Sequence, residues 1–446
     1  MPGRPMDHRS LIARVAPTAA LLAWWLSAVA MVALSRGALS GSVVVFLGLV
    51  MVGSTAAWAL SRCVAWSAPA VMLFALAAHA LGAFGLPLYE DDHFRYLWDG
   101  YRTAVSGSPY GVAPAAFYGD ATLPPQMAAV LSSVNHADVP TIYGPALQAL
   151  FFAAHVLGGA NELPLRLLVA ALHLLLVWRL LADARPARVL LYVAQPLVFK
   201  EVALTGHPDA LVALALLLAW QWRAVASPWA SAAAYAVALA VKSSALPALG
   251  AWLLVRQWRG LLAVTALLAA MYAPFLVGSD GGSDLAGLRV FAEYWQFNPG
   301  LVALVAPLLG WPAAKLCMAV LATALMLWIY RRVGDGAPES WVPVFGLLLI
   351  VSPVINPWYL LWFLPFAALT RHAWPWWAAL GVLFSYATGL NLARDDMAAF
   401  AIAPWALAAQ WALVAVGLAL SWAAGARVSA SASAAAPPRS PDPTRR

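Results

Sequence analysis

Long apolar stretches separated by short polar ones dominate the chain from Val15 to Ala424. The stretches run to roughly 17 to 25 residues, the length an α-helix needs to cross a bilayer core about 30 Å thick. Backbone N–H and C=O groups in lipid must pair within their own segment, so each stretch is expected to be helical. The pattern predicts an all-α polytopic membrane protein with about 12–14 transmembrane helices.

Basic residues between the stretches indicate the orientation, because Lys and Arg accumulate in cytoplasmic loops. An N-terminal tail, residues 1–14, carries three arginines and is placed in the cytoplasm. Three crossings then lead to a first outer loop at residues 87–141, and a second outer loop follows at residues 278–311. Residues 426–446 are rich in Ser, Ala and Pro and are expected to form a disordered cytoplasmic tail. Residues 15–425 then form one transmembrane domain.

Two places fit this alternation poorly. The stretch 142–158 must begin and end on the same side if the other assignments hold. Either it lies at the interface or re-enters the membrane, or one of the other short spans is assigned wrongly, and the pattern leaves both open. The stretches 228–241 and 244–255 are short for crossings. They predict a bent pair of helices with Lys242 near its apex.

Composition supports the membrane assignment, since 63% of the residues are hydrophobic, 10% are charged and the mean hydropathy is +0.78. A net charge of +7 would indicate nucleic acid binding in a soluble protein. Here the cytoplasmic loops account for the basic excess, so nucleic acid is not an expected partner. Cys63 and Cys317 have no metal-ligand spacing and are expected to pack as small apolar side chains.

Carboxylates are scarce and concentrated in the first outer loop. Of the 19 Asp and Glu residues, six lie between Pro87 and Thr141, and three of these are consecutive: Glu90, Asp91 and Asp92. A helix beginning near Glu90 gathers the polar residues on two adjacent faces: Asp92, Tyr96 and Asp99 on one, with Asp91, Arg95 and Arg102 beside them. The alternative is a carboxylate cluster that only stabilises the helix N terminus, followed by ion pairs along the helix.

The consecutive acids suit two kinds of chemistry. Neighbouring carboxylates cannot all ionise at equal cost, so one of them should have a raised pKa. Facing water at a membrane boundary, Asp92 or Asp91 could act as a general base on a substrate alcohol. The same oxygens could instead hold a divalent cation such as Mg²⁺ or Mn²⁺. The pattern leaves both alternatives open, so the sequence establishes no cofactor, and Mg²⁺ or Mn²⁺ stays an alternative.

Further polar residues interrupt the apolar stretches downstream. Lys200 and Lys242 are costly there unless they are paired or functional, although snorkelling to the interface is an alternative. A polar group that follows Lys200 is a candidate for binding acceptor hydroxyls, or else caps the next helix: Glu201, His207 and Asp209. In the first outer loop, His136 is a candidate substrate contact. Isolated histidines in the apolar stretches are expected to be hydrogen-bonded within the core: His79, His155 and His173.

Short motifs between residues 89 and 364 resemble, in matching order, those of the bacterial GT-C glycosyltransferases. They are EDDHFRYLWDG at 90–100, GSPY at 107–110, VNH at 134–136, PTIYGP at 140–145 and NPWYL at 356–360. The resemblance is to the polyprenyl-phosphate-mannose-dependent mannosyltransferases, and more faintly to the mannosyltransferase that adds the first mannose of GPI anchors. It implies a GT-C-type helix bundle whose large first outer loop carries short interfacial helices.

The resemblance also implies a reaction. The donor would be a polyprenyl monophosphate sugar, expected to be mannose, and the acceptor a lipid or glycan. The sugar would be transferred with inversion on the extracytoplasmic face of a bacterial inner membrane. In this family an acid of the first outer loop acts as catalytic base or substrate anchor, which corresponds to Asp92 and Asp91 here. Apart from the resemblance, a leaving phosphate needs fixed cations to receive it, and the candidate cations are Arg95, Arg102, Lys200, Lys242 and Arg289. The other candidate substrate contacts are Glu90, Tyr96, Asp99 and Tyr143.

Two other functions compete with this interpretation. The first is a transporter or flippase of lipid-linked sugars, which predicts ionisable groups in the middle of spans and paired inverted repeats. The chain has no evident repeat and concentrates its acids in an outer loop. The second is a structural subunit of a larger membrane complex, in which the loop acids form a docking surface.

Overall fold

The computed structural model describes residues 8–39, 42–224, 228–254, 256–276, 283–334 and 338–434. These residues are mainly helical, and their only β pairings are two isolated bridges, Phe297 with Val354 and Thr388 with Ile402. The all-helical fold expected from the apolar pattern is therefore confirmed.

The helices follow one another closely along the chain. The first are α1 (His8–Ser35), α2 (Val43–Cys63), α3 (Ala68–Ala83), α4 (Asp92–Ser106), α5 (Pro125–Ser132) and α6 (Pro145–Gly158). Next come α7 (Leu163–Leu180), α8 (Pro186–Val193), α9 (Pro196–Val198), α10 (Ala210–Ala224), α11 (Pro228–Val241), α12 (Gly250–Leu254) and α13 (Trp258–Leu276). The last are α14 (Leu285–Tyr294), α15 (Val302–Leu309), α16 (Trp311–Val333), α17 (Pro338–Val351), α18 (Trp374–Val382) and α19 (Pro404–Ala434). Short 3₁₀ or π turns occur at Pro114–Phe117, Phe199–Leu204, Ser243–Leu249, Pro357–Trp362, Leu364–Ala368 and Leu383–Tyr386.

Within the described ranges, six helices are long and apolar enough to cross a membrane: Ala16–Ser35, Val43–Cys63, Leu163–Leu180, Trp258–Leu276, Trp311–Val333 and Pro404–Ala424. Six shorter apolar helices accompany them: Ala68–Ala83, Pro145–Gly158, Ala210–Arg223, Pro228–Val241, Ser243–Leu254 and Pro338–Val351. The chain is therefore a multi-pass membrane protein. The expected total of about 12–14 crossings stays a prediction.

The outer surface of the bundle is apolar. Leu73, Leu262 and Leu308 expose 67%, 70% and 83% of their surface. Large exposed apolar patches are rare on soluble monomers, whereas lipid tails solvate them without cost. These side chains therefore mark the faces that contact lipid.

A break at Lys242 divides one apolar stretch. The helix α11 ends at Val241, and Lys242 is extended with φ −157° and ψ 131°. A 3₁₀ turn containing Pro247 then leads into α12, and proline removes a backbone donor that a continuous α-helix would need. The bent pair predicted around Lys242 is confirmed.

Both expected terminal tails overlap helices. The helix α1 begins at His8, inside the segment 1–14, and α19 continues to Ala434, beyond the expected boundary at residue 425. The residues between that boundary and Ala434 are rich in alanine, which has the highest helix propensity. Residues 1–7 and 435–446, which belong to the two expected tails, lie outside the described residues.

The helix α4 carries the acidic segment and packs along α6. It begins at Asp92, two residues after the expected start near Glu90. Gly100 permits the close contact, because a Cβ there would lie 2.3 Å from the carbonyl oxygen of Phe151 on α6. The stretch whose crossing the sequence left open forms this 14-residue α6. It is short for a crossing and supports α4.

We expect Gly100→Ala to lower the free energy of unfolding by about 1 to 3 kcal/mol, because the added methyl forces α4 away from α6. Thermal unfolding of the purified protein in detergent measures the effect. Gly48 on α2 has no atom within 4 Å of its virtual Cβ. Gly48→Ala is therefore the matched control, and it should be neutral or stabilising because alanine favours helix. Equal unfolding temperatures for the two variants would contradict the close contact.

Candidate active site

A cavity of about 480 Å³ lies where the segment 87–141, the expected first outer loop, meets the C-terminal half of the chain. Five sequence-distant segments form most of its wall: residues 89–92, 135–143, 291–297, 356–359 and 385–391. Its volume is in the range usual for small-molecule sites. Seven residues singled out from the sequence line it: Glu90, Asp91, Asp92, Arg95, His136, Tyr143 and Lys242.

Asp91 and Asp92 enter the cavity at the start of α4, where Asp91 is exposed and Asp92 is half-buried. The side-chain amide of Asn135 donates a short hydrogen bond to Asp91 Oδ1 and lies 3.5 Å from Asp92 Oδ1. The surrounding protein removes water from the Asp92 carboxylate and, together with the charge of Asp91, raises its pKa to about 6. Asp92 can therefore exchange a proton near neutral pH, as a general base must.

Arg95 holds the loop that carries Asn135. Its guanidinium donates to the carbonyl oxygens of Val139 and His136, each at 2.9 Å, and lies 3.4 Å from that of Asn135. The group expected to contact a phosphate is thus committed to backbone carbonyls. Arg95 positions Asn135, and through it the two aspartates.

Tyr96 and Asp99 lie behind the cavity wall rather than in it. The hydroxyl of Tyr96 is 3.0 Å from His207 Nδ1, and its ring stacks on Phe151. Asp99 accepts hydrogen bonds from Thr141 at 2.5 Å and from Gln148 at 3.0 Å. Both side chains therefore support the site from within the core.

Arg102 is not brought to the cavity. Its guanidinium lies 4.1 Å from the ring centroid of Phe117, and neither residue lines the cavity. The sequence grouped it with Asp91 because the two share a helix region. Arg102 lies ten positions after Asp92, where α4 begins, which is about 15 Å along the helix axis and away from the cavity.

His136 and Tyr143 line the cavity from the segment that precedes α6. The ring of His136 lies 4.3 Å from that of Trp295, which joins the first outer loop to the segment after α14. The backbone oxygen of Tyr143 accepts a hydrogen bond from Tyr110 at 3.0 Å. Both predicted contacts therefore border the cavity, and Trp295 gives it an aromatic face.

Four further predicted residues join Tyr386, which the sequence did not indicate, in a deep polar cluster, defined here as Glu90, Lys200, Glu201, His207 and Tyr386. Lys200, Glu201 and His207 are each completely buried. Lys200 Nζ lies 3.2 Å from Glu201 Oε2 and 2.5 Å from the Tyr386 hydroxyl. Glu90 lines the cavity and makes short contacts with Lys200, His207 and Tyr386. Removal from water and the nearby Glu201 raise the pKa of Glu90 well above its ordinary value.

Lys242, which lines the cavity, forms an ion pair with the buried Asp209. Lys242 Nζ lies 2.7 Å from Asp209 Oδ1, and Trp362 Nε1 donates to the same oxygen at 2.7 Å. The lysine side chain keeps 17% of its surface exposed and lies over the ring of Tyr359. Lys242 is thus paired rather than snorkelling. Lys242 and Arg95 are the only lysine and arginine among the described lining residues.

Several residues of the site were missed or given no role in the sequence. Tyr386 contacts Glu90 across 296 sequence positions, and Trp358 stacks on His207 with ring centroids 4.2 Å apart. Trp362 and Asn135 bind carboxylates directly. Asn135 and Trp358 stand in motifs that the sequence displays, whereas Tyr386 lies in an apolar stretch that gives no signal.

The residues that could hold a metal ion differ from the candidates that the sequence offered. Among the described residues, one group could supply three metal ligands. It consists of Glu90, Glu201 and His207, whose ligand atoms lie within 4.8 Å of one another. Asp91 and Asp92, the candidate ligands if the protein holds a metal ion, do not belong to it. Their oxygens are bridged by the Asn135 amide, which is a donor toward them and not a ligand.

Comparison with known proteins yields no match to a family model, a curated protein or a solved structure. The motif resemblance therefore has no support beyond the residues that carry it. The function has to be argued from the cavity itself.

Proposed function

We propose that the protein is a membrane glycosyltransferase that moves a sugar, mannose by the motif resemblance, from a polyprenyl-phosphate donor to a hydroxyl of a lipid or glycan acceptor. The GT-C-type bundle, the bacterial inner membrane and the extracytoplasmic face are parts of the same proposal. The observation that carries it is Asp92, a carboxylate with a pKa of about 6 in a cavity that also contains Lys242.

The reaction we propose is a direct displacement. The acceptor oxygen attacks the anomeric carbon of the sugar, and its proton passes to a carboxylate oxygen of Asp92. The bond between the anomeric carbon and the phosphate oxygen breaks, and the electron pair leaves with the polyprenyl phosphate. The phosphate goes from one negative charge to two, and Lys242 is placed to stabilise that increase. Attack from the side opposite the leaving group inverts the anomeric centre.

The cavity wall suits a sugar on a lipid carrier. Aromatic rings from Tyr89, Trp295 and Trp358 line it together with the amides of Asn135 and Asn356. Apolar walls with a few placed polar groups are typical of small-molecule sites. Leu390 and Phe400, with 62% and 65% of their surface exposed, border the cavity. They offer an apolar path along which a polyprenyl chain could lie.

A transporter of lipid-linked sugars is the second candidate, and the deep polar cluster favours it. Ionisable groups buried among apolar helices are a usual feature of transport pathways. The two candidates differ in whether the sugar–phosphate bond is broken.

The test uses the purified full-length chain in detergent, without any ion gradient, with tritium-labelled undecaprenyl-phosphate mannose and a lipid extract of bacterial membranes as acceptor source. We expect label to move from the donor to a new lipid or glycan, with release of undecaprenyl phosphate. Intact donor after incubation, repeated with the corresponding glucose and galactose donors, would contradict the proposal. Movement of intact donor across the bilayer of reconstituted vesicles would then support the transporter.

A further inference from the structure

The ammonium group of Lys200 is saturated by the deep polar cluster. An ammonium has three N–H donors and no acceptor. Lys200 directs them at three oxygens, those of Glu90 Oε1, Glu201 Oε2 and the Tyr386 hydroxyl. The side chain is 0% exposed, so these protein oxygens take the place of its water shell. Lys200 is therefore not free to contact a substrate phosphate.

The neighbours of this ammonium are also a set of metal ligands. Glu90, Glu201 and His207 each offer one ligand atom, and these atoms lie within 4.8 Å of one another. Two carboxylates and one imidazole are ordinary ligands of Zn²⁺. The other nitrogen of the imidazole, Nδ1 of His207, lies 3.0 Å from the Tyr96 hydroxyl. Such an outer partner fixes the ring of a metal-binding histidine.

The lysine and a metal ion compete for the same two carboxylates. Lys200 Nζ contacts one oxygen of Glu90 and one of Glu201, which are two of the three candidate ligands. A second cation placed among these residues would lie within a few ångströms of the ammonium, where no water separates the charges. Like charges in so dry a site repel strongly.

We propose that the ammonium of Lys200 is the resident cation of a three-ligand site formed by Glu90, Glu201 and His207, and that removing it opens this site to a zinc ion. The inference goes beyond sugar transfer, because it concerns which cation the buried residues hold. Its readout is bound metal, so it succeeds or fails independently of the proposed reaction.

The experiment counts zinc in the full-length chain, purified in detergent through a histidine-free tag, stripped with chelator and dialysed against Zn²⁺. Lys200→Met removes the ammonium and keeps the unbranched side chain up to the position of Cε. We expect it to bind one more zinc per chain than the wild type does. The extra zinc should disappear in the double variant Lys200→Met, Glu201→Gln. Lys242→Met is the matched control, because that lysine also pairs with a carboxylate but contacts no three-ligand group among the described residues; it should add no zinc.

Two results would overturn the inference. One is a wild-type chain that already binds a zinc ion which Glu201→Gln removes, since the ammonium would then not occupy the site. This measurement needs no change at Lys200, so it decides even where Lys200→Met does not fold. The other is folded Lys200→Met, or Lys200→Gln in its place, that binds no more zinc than the wild type.

Discussion

Replacing Asp92 with asparagine is expected to lower sugar transfer at pH 7 by about 10²- to 10⁴-fold, the range that a positioned general base contributes. The asparagine amide keeps the shape of the side chain but cannot take up the proton of the substrate hydroxyl. The measurement is the initial rate of label transfer by the purified chain at saturating donor. Asp91→Asn should cost less, because Asp91 lies exposed at the rim and acts mainly through the shared contact with Asn135.

The matched control for this pair is Asp120→Asn. Asp120 lies in the same segment, 87–141, and is exposed. Among the described residues, its side chain bonds only to Thr122. Its replacement should leave transfer unchanged. Full activity in both Asp92→Asn and Asp91→Asn would remove the proposed base. A large loss in Asp91→Asn alone would move the role to Asp91.

The same assignment sets the expected pH dependence. A base works in its deprotonated form, and Asp92 has a pKa raised to about 6 by burial and by Asp91. Transfer should therefore be present above that pH and fall as the pH drops through it, approaching about tenfold per unit below. The residual activity of Asp92→Asn should lack this fall. A wild-type rate that stays flat through pH 6 would argue against Asp92 as the base.

The local features of the site could be predicted from the sequence, because they depend on residues that are close together along the chain. The apolar stretches predicted helices, and the break at Lys242 was visible as two stretches too short to cross. The consecutive acids Asp91 and Asp92 predicted a polar face at the start of a helix, and they do line the cavity. Each of these inferences uses only the spacing of residues within one segment.

The long-range contacts that give these residues their roles could not be predicted from the sequence. Arg95 donates to three loop carbonyls about forty positions away, and backbone carbonyls leave no mark in a sequence. Tyr386 reaches Glu90 from a stretch whose composition is that of an ordinary apolar helix. Lys200 and Lys242 look alike in the sequence. Only the fold shows that Lys200 is saturated in the core while Lys242 keeps a face toward the cavity.

That difference between the lysines yields the second large effect. Lys242→Met is expected to reduce transfer by about 10²- to 10³-fold, the cost of losing one group that stabilises developing negative charge. The loss should appear in kcat and also raise KM for the donor, because the phosphate is charged before and after the bond breaks. Lys242→Arg should recover part of the rate, since it retains the charge. Arg289 is an exposed cation on α14 that does not line the cavity, so Arg289→Met is the control.

A second variant separates the charge of Lys242 from its support of Asp209. Without the lysine, the buried Asp209 keeps only the hydrogen bond from Trp362 among its described side-chain partners. An unpaired buried charge destabilises a fold by about 3 to 5 kcal/mol. Adding Asp209→Asn removes that charge while the side-chain oxygen still accepts from Trp362. The double variant Lys242→Met, Asp209→Asn should therefore fold as well as the wild type and stay inactive. If it regains transfer, Lys242 serves only to neutralise Asp209, and the leaving phosphate must be received by another group.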